Sequence, residues 1–367
     1  MKRYLVVIGI LFLVVGNLGG VSAAETGEEL PAAESYFDSV YQSVPEEVKP
    51  FVKEEYTAQS LNVESLMPVF ERFLNTICQR FFMLLLKLLS VIIPISLIKR
   101  VAASLAKDSF MTEWISGILL LSVLVTEIVT LCKQITDYGS TVLKFTLGVT
   151  ATLASVMTFG GNAVTATTVT ATVSSIGYLL EFVCIRWLIP VVMTVLATMI
   201  GSCMSSSGIA LVGRGARSLY QWLIGFLSFF SVMLLSYQSI LAHAEDTVAS
   251  KTVRYAVSGS IPIVGGAVGE SMSVLTSSIR MIRSGVGVMG VLSVLFLSMI
   301  PIGTVISLKF AVFIAEELSS LLELSQENGL LCETRKLINM LLAITVMITI
   351  LFIFIISLYM MIPLAYS

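Results

Sequence analysis

The chain alternates between long apolar runs and short polar breaks, and this pattern predicts membrane-spanning helices. A helix needs about 20 mostly apolar residues to cross the hydrocarbon core of a bilayer. Two runs, 141–160 and 163–183, are diluted by threonine and are weaker candidates. Six runs meet the criterion clearly: 80–98, 114–132, 187–203, 219–241, 286–308 and 337–363. The pattern therefore predicts an all-α, polytopic membrane protein.

Lysine and arginine in the short loops predict which ends of the spans face the cytoplasm. They cluster in 99–107, 204–218 and 309–336, which we therefore expect on the cytoplasmic side. An even number of spans must separate the first two of these segments. This parity favours eight spans in total, and six spans plus a re-entrant pair at 141–183 is the alternative. Both arrangements place 258–285 and the C-terminal tail outside the cytoplasm.

The first 23 residues have the layout of a secretory signal peptide. A positive start and an apolar core precede a small-x-small cleavage site at 21–23. An uncleaved membrane anchor is the alternative. Residues 24–79 form an acidic segment, whose stretch 24–75 holds eleven acidic and three basic residues. Its apolar residues recur at helical spacing and predict short amphipathic helices outside the cytoplasm, ahead of a polytopic domain at 80–363.

The stretch 258–285 is too polar for an easy span and too apolar for an ordinary loop. Proline lacks an amide hydrogen and glycine permits unusual backbone angles, so we expect a turn or broken helix over 259–267. An amphipathic helix with one polar side follows from Val268. We expect this segment to line a channel as a re-entrant element, to lie in the membrane interface as a helix that seals the bundle, or to pack against another subunit as a docking surface. The candidate residues are Pro262, Gly265, Gly266, Gly269, Glu270, Ser273, Ser277, Arg280 and Arg283.

We consider four residues as candidate intramembrane charges, because a charge within a span costs about 2.5–3.5 kcal/mol on insertion scales. Lys87 lies too deep in the first span to reach the membrane surface easily, and we consider Glu127 in the second span as its partner. Glu181 and Arg186 bracket a predicted helix junction. Structural ion pairs are favoured over proton or ion coupling.

Two further segments have distinctive patterns. Residues 309–336 predict one amphipathic cytoplasmic segment that either lies on the membrane or docks a partner helix. Residues 150–175 are rich in threonine, serine, alanine and glycine. Such small residues favour tight helix packing, and a hydroxyl-lined passage is the alternative.

Composition supports the membrane assignment and narrows the function. The chain is 56% hydrophobic and 13% charged, with a mean hydropathy of +0.94, whereas a soluble domain is about 25% charged. Its five cysteines form no CxxC pair, His243 is the only histidine, and no HExxH, Walker A or GxSxG motif occurs. No basic tract of the nucleic-acid-binding kind occurs either. We therefore expect no catalytic activity, metal, cofactor or nucleic-acid partner.

The run Lys251 to Gly265, KTVRYAVSGSIPIVG, resembles the stage III sporulation protein AE family of endospore-forming Firmicutes. The resemblance covers nearly the whole chain. It includes the signal sequence, the acidic segment and the RSLY sequence that opens the span at 219–241.

This resemblance implies a membrane component of a complex in the mother-cell membrane that surrounds the forespore. The expected partners are the other A-series stage III proteins, one of which is similar to secretion ATPases, and indirectly the forespore protein Q. Together these proteins are similar to a secretion-type channel, in which a strongly polytopic subunit is a candidate permease or export gate. A stand-alone secondary transporter and a purely structural membrane hub are the alternatives.

Overall fold

A computed structural model describes residues 63–104, 109–159, 163–204, 208–244 and 265–361. The all-α prediction is confirmed for this part of the chain. The signal peptide, Pro262 and most of the acidic segment lie outside it, as do the side chains of 265–284. The elements are α1 (Val63–Ser104), α2 (Ser109–Phe159), α3 (Ala163–Glu181), a π-helical segment (Phe182–Leu188), α4 (Ile189–Met204), α5 (Gly208–Ala244), α6 (Gly265–Leu321) and α7 (Ser325–Met361).

Five stretches of the described helices are long and apolar enough to cross a membrane, so the chain is a multi-pass membrane protein. They are Ile77–Val101, Thr112–Thr158, Ala166–Gly201, Gly285–Leu321 and Ser325–Ser357. The predicted span 219–241 lies within α5, of which only part has described side chains. The predicted count of eight spans is not confirmed.

α2 joins two predicted spans into one helix. The sequence predicts a break between 114–132 and 141–160, but α2 continues through it without interruption. Two of the polar residues in between, Gln134 and Tyr138, contact other helices, so the helix continues where the sequence predicts a turn. Gln134 accepts a hydrogen bond from α1, and Tyr138 is buried against α7.

α3 and α4 likewise form one rod. The π-helical segment links the predicted spans 163–183 and 187–203 without a loop. The span candidate in this rod has 36 residues and the one in α2 has 47, which correspond to about 54 and 70 Å at 1.5 Å per residue. The hydrocarbon core is only about 30 Å thick. Both rods therefore extend well beyond it.

α6 contains most of the stretch 258–285 as well as the span that follows it. The helix predicted from Val268 is present in the backbone, but it starts at Gly265 and runs without a break to Leu321. A re-entrant or interfacial element would need a change of direction before residue 286. The structure has a single extended helix there instead.

A helical hairpin replaces the predicted amphipathic segment 309–336, because the chain turns between α6 and α7. Glu323 adopts a left-handed φ of 61°. Its N–H donates to the Ser320 carbonyl (3.1 Å), and the Leu324 N–H donates to the Ser319 carbonyl (2.9 Å). These two bonds satisfy the last carbonyls of α6 as in a Schellman motif. Leu324 is 3% exposed, and its burial anchors the turn.

The α6–α7 hairpin forms the centre of the bundle. α2 packs against both of its helices, α1 packs against α6 and α2, and α4 and α5 pack against each other and α7. Phe145 and Phe352 are among the fully buried side chains that fill this core. A Cβ at Gly290 would lie 3.0 Å from Val149 Cγ1, so this glycine lets α6 approach α2 closely.

Side-chain contacts bring several helix ends together at the turn of this hairpin, which we call the hairpin end. Lys99 near the end of α1 and Ser116 near the start of α2 both contact Glu327 at the start of α7. Arg217 near the start of α5 pairs with Glu333 of α7. The three segments predicted to be cytoplasmic therefore meet at one end of the bundle.

Candidate functional site

Lys87 on α1 and Glu127 on α2 form an ion pair, with 2.8 Å between Nζ and Oε1. The structure thus brings together the two residues considered as partners from the sequence. The Lys87 side chain is 52% exposed and that of Glu127 is 20% exposed. The pair therefore lies on the outer surface of the described bundle, within two stretches apolar enough to span a membrane.

The pair borders a line of polar side chains on the exposed face of α2. These residues are spaced by four, four, three and four positions, which places them on one side of the helix. They are Ser122, Thr126, Thr130, Lys133 and Asp137, and we call them the α2 stripe. Neither Lys133 nor Asp137 forms an ion pair with another described residue.

The hydroxyl groups of the α2 stripe are bonded within their own helix. Ser122 donates to the Leu119 carbonyl at 2.7 Å, and Thr126 donates to the Ser122 carbonyl at 2.8 Å. Thr130 donates to the Thr126 carbonyl at 2.8 Å. These bonds satisfy the hydroxyl donors without a partner chain, whereas Lys133 and Asp137 still require water or a partner.

Apolar side chains flank the α2 stripe on both sides. The exposed ones nearby include Phe82, Met83 and Leu86 on α1 and Leu119 and Val129 on α2. Such a surface suits lipid, but the Lys87–Glu127 pair and the α2 stripe do not. Charged residues within spans generally face a bundle interior or a water-filled cavity. We therefore expect this face to be covered by another chain or open to water.

Polar contacts behind the α2 stripe hold α2 in a fixed orientation. Arg80 of α1 donates from Nη1 to Gln134 Oε1 (3.4 Å) and to Thr304 Oγ1 of α6 (3.2 Å). The buried Tyr138 hydroxyl lies 2.7 Å from Thr349 Oγ1 of α7. Hydrogen bonds between membrane helices stabilise their packing, so these contacts keep the stripe on the outside.

A second polar cluster lies at the hairpin end. The Glu327 side chain is fully buried, and its Oε1 lies 2.7 Å from Lys99 Nζ. Ser116 Oγ donates to the same oxygen at 2.5 Å. A buried charge requires a paired charge and hydrogen bonds, and Glu327 has both. The cluster links α1, α2 and α7.

Glu181 and Arg186 lie beside and within the π-helical segment, where the chain continues as a helix instead of breaking at the predicted junction. Glu181 immediately precedes the segment, and Arg186 is exposed in its last turn. They form no ion pair among the described residues. A Cβ at Gly139 of α2 would lie 2.8 Å from Ile185 Cδ1, so the π-helical segment packs tightly on α2.

The structure locates only the backbone of the other candidate residues. Gly265, Gly266, Gly269, Glu270, Ser273, Ser277, Arg280 and Arg283 all belong to α6. Their role in lining a channel or docking a partner stays a prediction.

Sequence reasoning missed the α2 stripe and the Glu327 cluster. The spacing of the stripe is visible in the sequence, but a break predicted at 133–140 hid it. Glu327 carried no local signal, because its partners Lys99 and Ser116 lie more than 200 positions away.

Comparison with known protein families gives a match over most of the chain. A family model described as stage III sporulation protein AE (spore_III_AE) matches residues 47–362. The match includes all the described helices, from α1 to α7. No curated protein and no solved structure matches the chain.

Proposed function

Because the chain belongs to the stage III sporulation protein AE family, we propose that it is a non-enzymatic subunit of a sporulation transport complex. In this proposal the α2 stripe lines a water-filled passage of that complex. The complex lies in the mother-cell membrane around the forespore. A partner similar to secretion ATPases supplies the energy, since the chain has no nucleotide-binding motif of its own.

The observation that carries this proposal is the exposed Lys87–Glu127 pair together with the α2 stripe. Each charge facing hydrocarbon would cost about 2.5–3.5 kcal/mol. Water along the stripe removes that cost, and the serine and threonine hydroxyls offer further contacts to it. The apolar side chains on either side then contact lipid or neighbouring subunits.

The passage lies between chains rather than inside this one. The α2 stripe is on the outer face, while the centre of the bundle is filled by buried side chains such as Leu153 and Phe352. The facing wall is contributed by a second copy or by another A-series stage III protein. This arrangement makes the chain a permease-like subunit that works only in the assembled complex.

A structural hub is the second candidate, and the internal hydrogen bonds of the stripe hydroxyls favour it. Hydroxyls that are satisfied within their own helix can pack against a neighbouring helix without water. In that arrangement only Lys87, Glu127, Lys133 and Asp137 need polar partners on the neighbouring chain.

Cysteine labelling distinguishes the two candidates. The five native cysteines are replaced, and Thr126→Cys and Thr130→Cys are introduced separately. Sporulating cells are treated with a bulky, charged, membrane-impermeant thiol reagent before engulfment is complete. A water-filled passage predicts that both cysteines react, and that reaction lowers late forespore transcription while the A-series proteins still co-purify.

Leu86→Cys is the matched control, since Leu86 is 65% exposed among apolar neighbours and a thiol in lipid reacts poorly. Stripe cysteines that react only when the partners are absent would identify a hub. Equal labelling at position 86 and at the stripe would contradict the passage.

A further inference from the structure

Lys133 and Asp137 are opposite charges that lie one helical turn apart on the α2 stripe. Both side chains are exposed, and neither forms an ion pair with a described residue. They do not pair with each other either. A base four positions before an acid is the less favourable order for pairing within one helix. Both charges are therefore available to a group outside the described bundle.

The two charges lie at the depth of the hydrocarbon core. The hydroxyl of Tyr138, next to Asp137, lies 2.7 Å from Thr349 Oγ1 of α7. Thr349 is the middle residue of the uncharged run 337–361, which spans about 37 Å at 1.5 Å per residue. The hydrocarbon core is about 30 Å thick. The short side chain of Asp137 therefore cannot reach the headgroups on either side.

The surface around these charges leaves room for a second helix along α2. Leu131 and Ile135 on the other side of α2 are buried in the core, so the α2 stripe faces away from the bundle. Toward the hairpin end the line of the stripe continues with the exposed Leu119 and Ile115. In the other direction Ser140 continues it. Small side chains along the stripe allow a neighbouring helix to approach closely.

The charge pattern is complementary to itself. Two copies inserted in the same direction can be related by a two-fold axis along the membrane normal, in which case each residue lies level with its counterpart. Lys133 of one copy is then offset by about 6 Å along the helix from Asp137 of the other. The flexible four-carbon stem of lysine covers this offset. The symmetry forms the same pair twice, so both charges of both copies are satisfied.

We infer that the α2 stripe docks against the α2 stripe of a second copy of this chain, with Lys133 and Asp137 paired in both directions. The inference rests on the proposed function only in that a neighbouring chain faces the stripe, and it identifies that chain. It applies to a passage and to a hub alike, because a lysine stem reaches across a wet gap as well as a dry contact. A lipid presents its charges at the membrane surface and so leaves both residues unpaired.

Lys144 indicates where the two helices separate. It is exposed on the same side of α2, seven positions after Asp137, which is about 10 Å further from the hairpin end. Two lysines at one level repel each other, so the α2 helices cross near the paired charges and diverge toward residue 144. The long side chain of Lys144 can extend from there to the membrane surface.

Cysteine crosslinking tests the contact in membranes of sporulating cells. The five native cysteines are replaced, Ser140→Cys is introduced, and two differently tagged copies are expressed together. A short, permeant, bifunctional thiol reagent should link the two tags, because the two residues lie at one level. Phe226→Cys is the control, since Phe226 is exposed on α5, which packs on α4 and α7. It should give little dimer.

Charge exchange tests the pairing itself. Lys133→Asp leaves two acids on each copy, and Asp137→Lys leaves two bases. Either variant alone should lower the crosslinked dimer at least about tenfold, because like charges then face each other. Expressing the two variants together, each with its own tag, should restore the mixed dimer. Pairing within one helix cannot explain this rescue, because each variant helix carries charges of one sign only.

Several results would overturn the inference. They are the absence of a Ser140→Cys dimer, a dimer that survives either single charge variant, and a mixed dimer that does not return. If the single variants fail to accumulate, the neutral variant Lys133→Gln with Asp137→Asn should still lose most of the dimer, and a dimer that persists would refute the pairing. A link only to a different protein would identify another neighbour. Labelling of Thr126→Cys and Thr130→Cys tests the passage separately, so the two proposals can fail independently.

Discussion

Glu127 and Glu327 each pair with a lysine, but burial gives the two pairs different consequences. The Lys87–Glu127 pair is exposed, so its strength depends on whatever covers it. Glu327 is fully buried with Lys99 and Ser116. Removing one partner of a buried pair leaves an uncompensated charge in a low-dielectric setting.

We predict that Glu327→Ala destabilises the protein by about 3–5 kcal/mol, because Lys99 loses its counter-charge. Thermal unfolding in detergent, followed by circular dichroism, measures this change. Glu317→Ala is the control, since Glu317 is exposed at the same end, and it should stay within about 0.5 kcal/mol. Replacing the pair with Lys99→Met and Glu327→Leu should restore part of the loss. Equal effects of the two single alanine variants would contradict the structural role of the cluster.

At the scale of elements, glycines determine where the long helices come close together. Gly139 of α2 faces Ile185 of the π-helical segment, and a Cβ there would lie only 2.8 Å from the Ile185 side chain. Gly225 of α5 has nothing within 4 Å of the same position. Both glycines lie in long helices, but Gly139 faces a closely packed neighbour and Gly225 faces open space.

We predict that Gly139→Val destabilises the α2 contact by about 1–3 kcal/mol through overpacking. Gly225→Val makes the same chemical change in open space and should have a much smaller effect. The unfolding temperatures of the two variants in one detergent provide the comparison. A similar temperature for both would mean that α2 and the π-helical segment are farther apart than described.

At the scale of the whole molecule, the hairpin end indicates how the chain is oriented in the membrane. The contacts of Glu327 and Glu333 bring α1, α2, α5 and α7 to one end of the bundle. The excess of lysine and arginine there favours the cytoplasmic side. Ser357, near the far end of α7, lies about 48 Å along the helix from Ser325, the first residue of α7.

We predict that Glu323→Cys, in a chain without the native cysteines, is protected from an impermeant thiol reagent in intact mother cells. The same reagent should label Ser357→Cys. A permeant reagent, applied in parallel, checks that both cysteines are reactive. Labelling of residue 323 from outside would reverse the predicted orientation.

The sequence by itself determined the helical class, the membrane setting and the segments that meet at the hairpin end. It also indicated Glu127 as a partner for Lys87. These features depend on local properties: apolar content, helical spacing and the distribution of charge. The tertiary structure decided how many rods the helices form. Polar residues such as Gln134 and Tyr138 continue a helix instead of ending it, because Arg80 and Thr349 on other helices satisfy them.

The turn between α6 and α7 is the reverse case, because here the tertiary structure ends a helix that the sequence predicts to continue. No glycine or proline lies at residues 322–324, so local propensity predicts a continuing helix there. The chain turns because Leu324 becomes buried and the Schellman-type bonds compensate for the left-handed backbone of Glu323. The sequence shows a residue's own conformational preference, but the residues whose contacts override that preference lie in distant parts of the chain. Only the packed structure brings the two together.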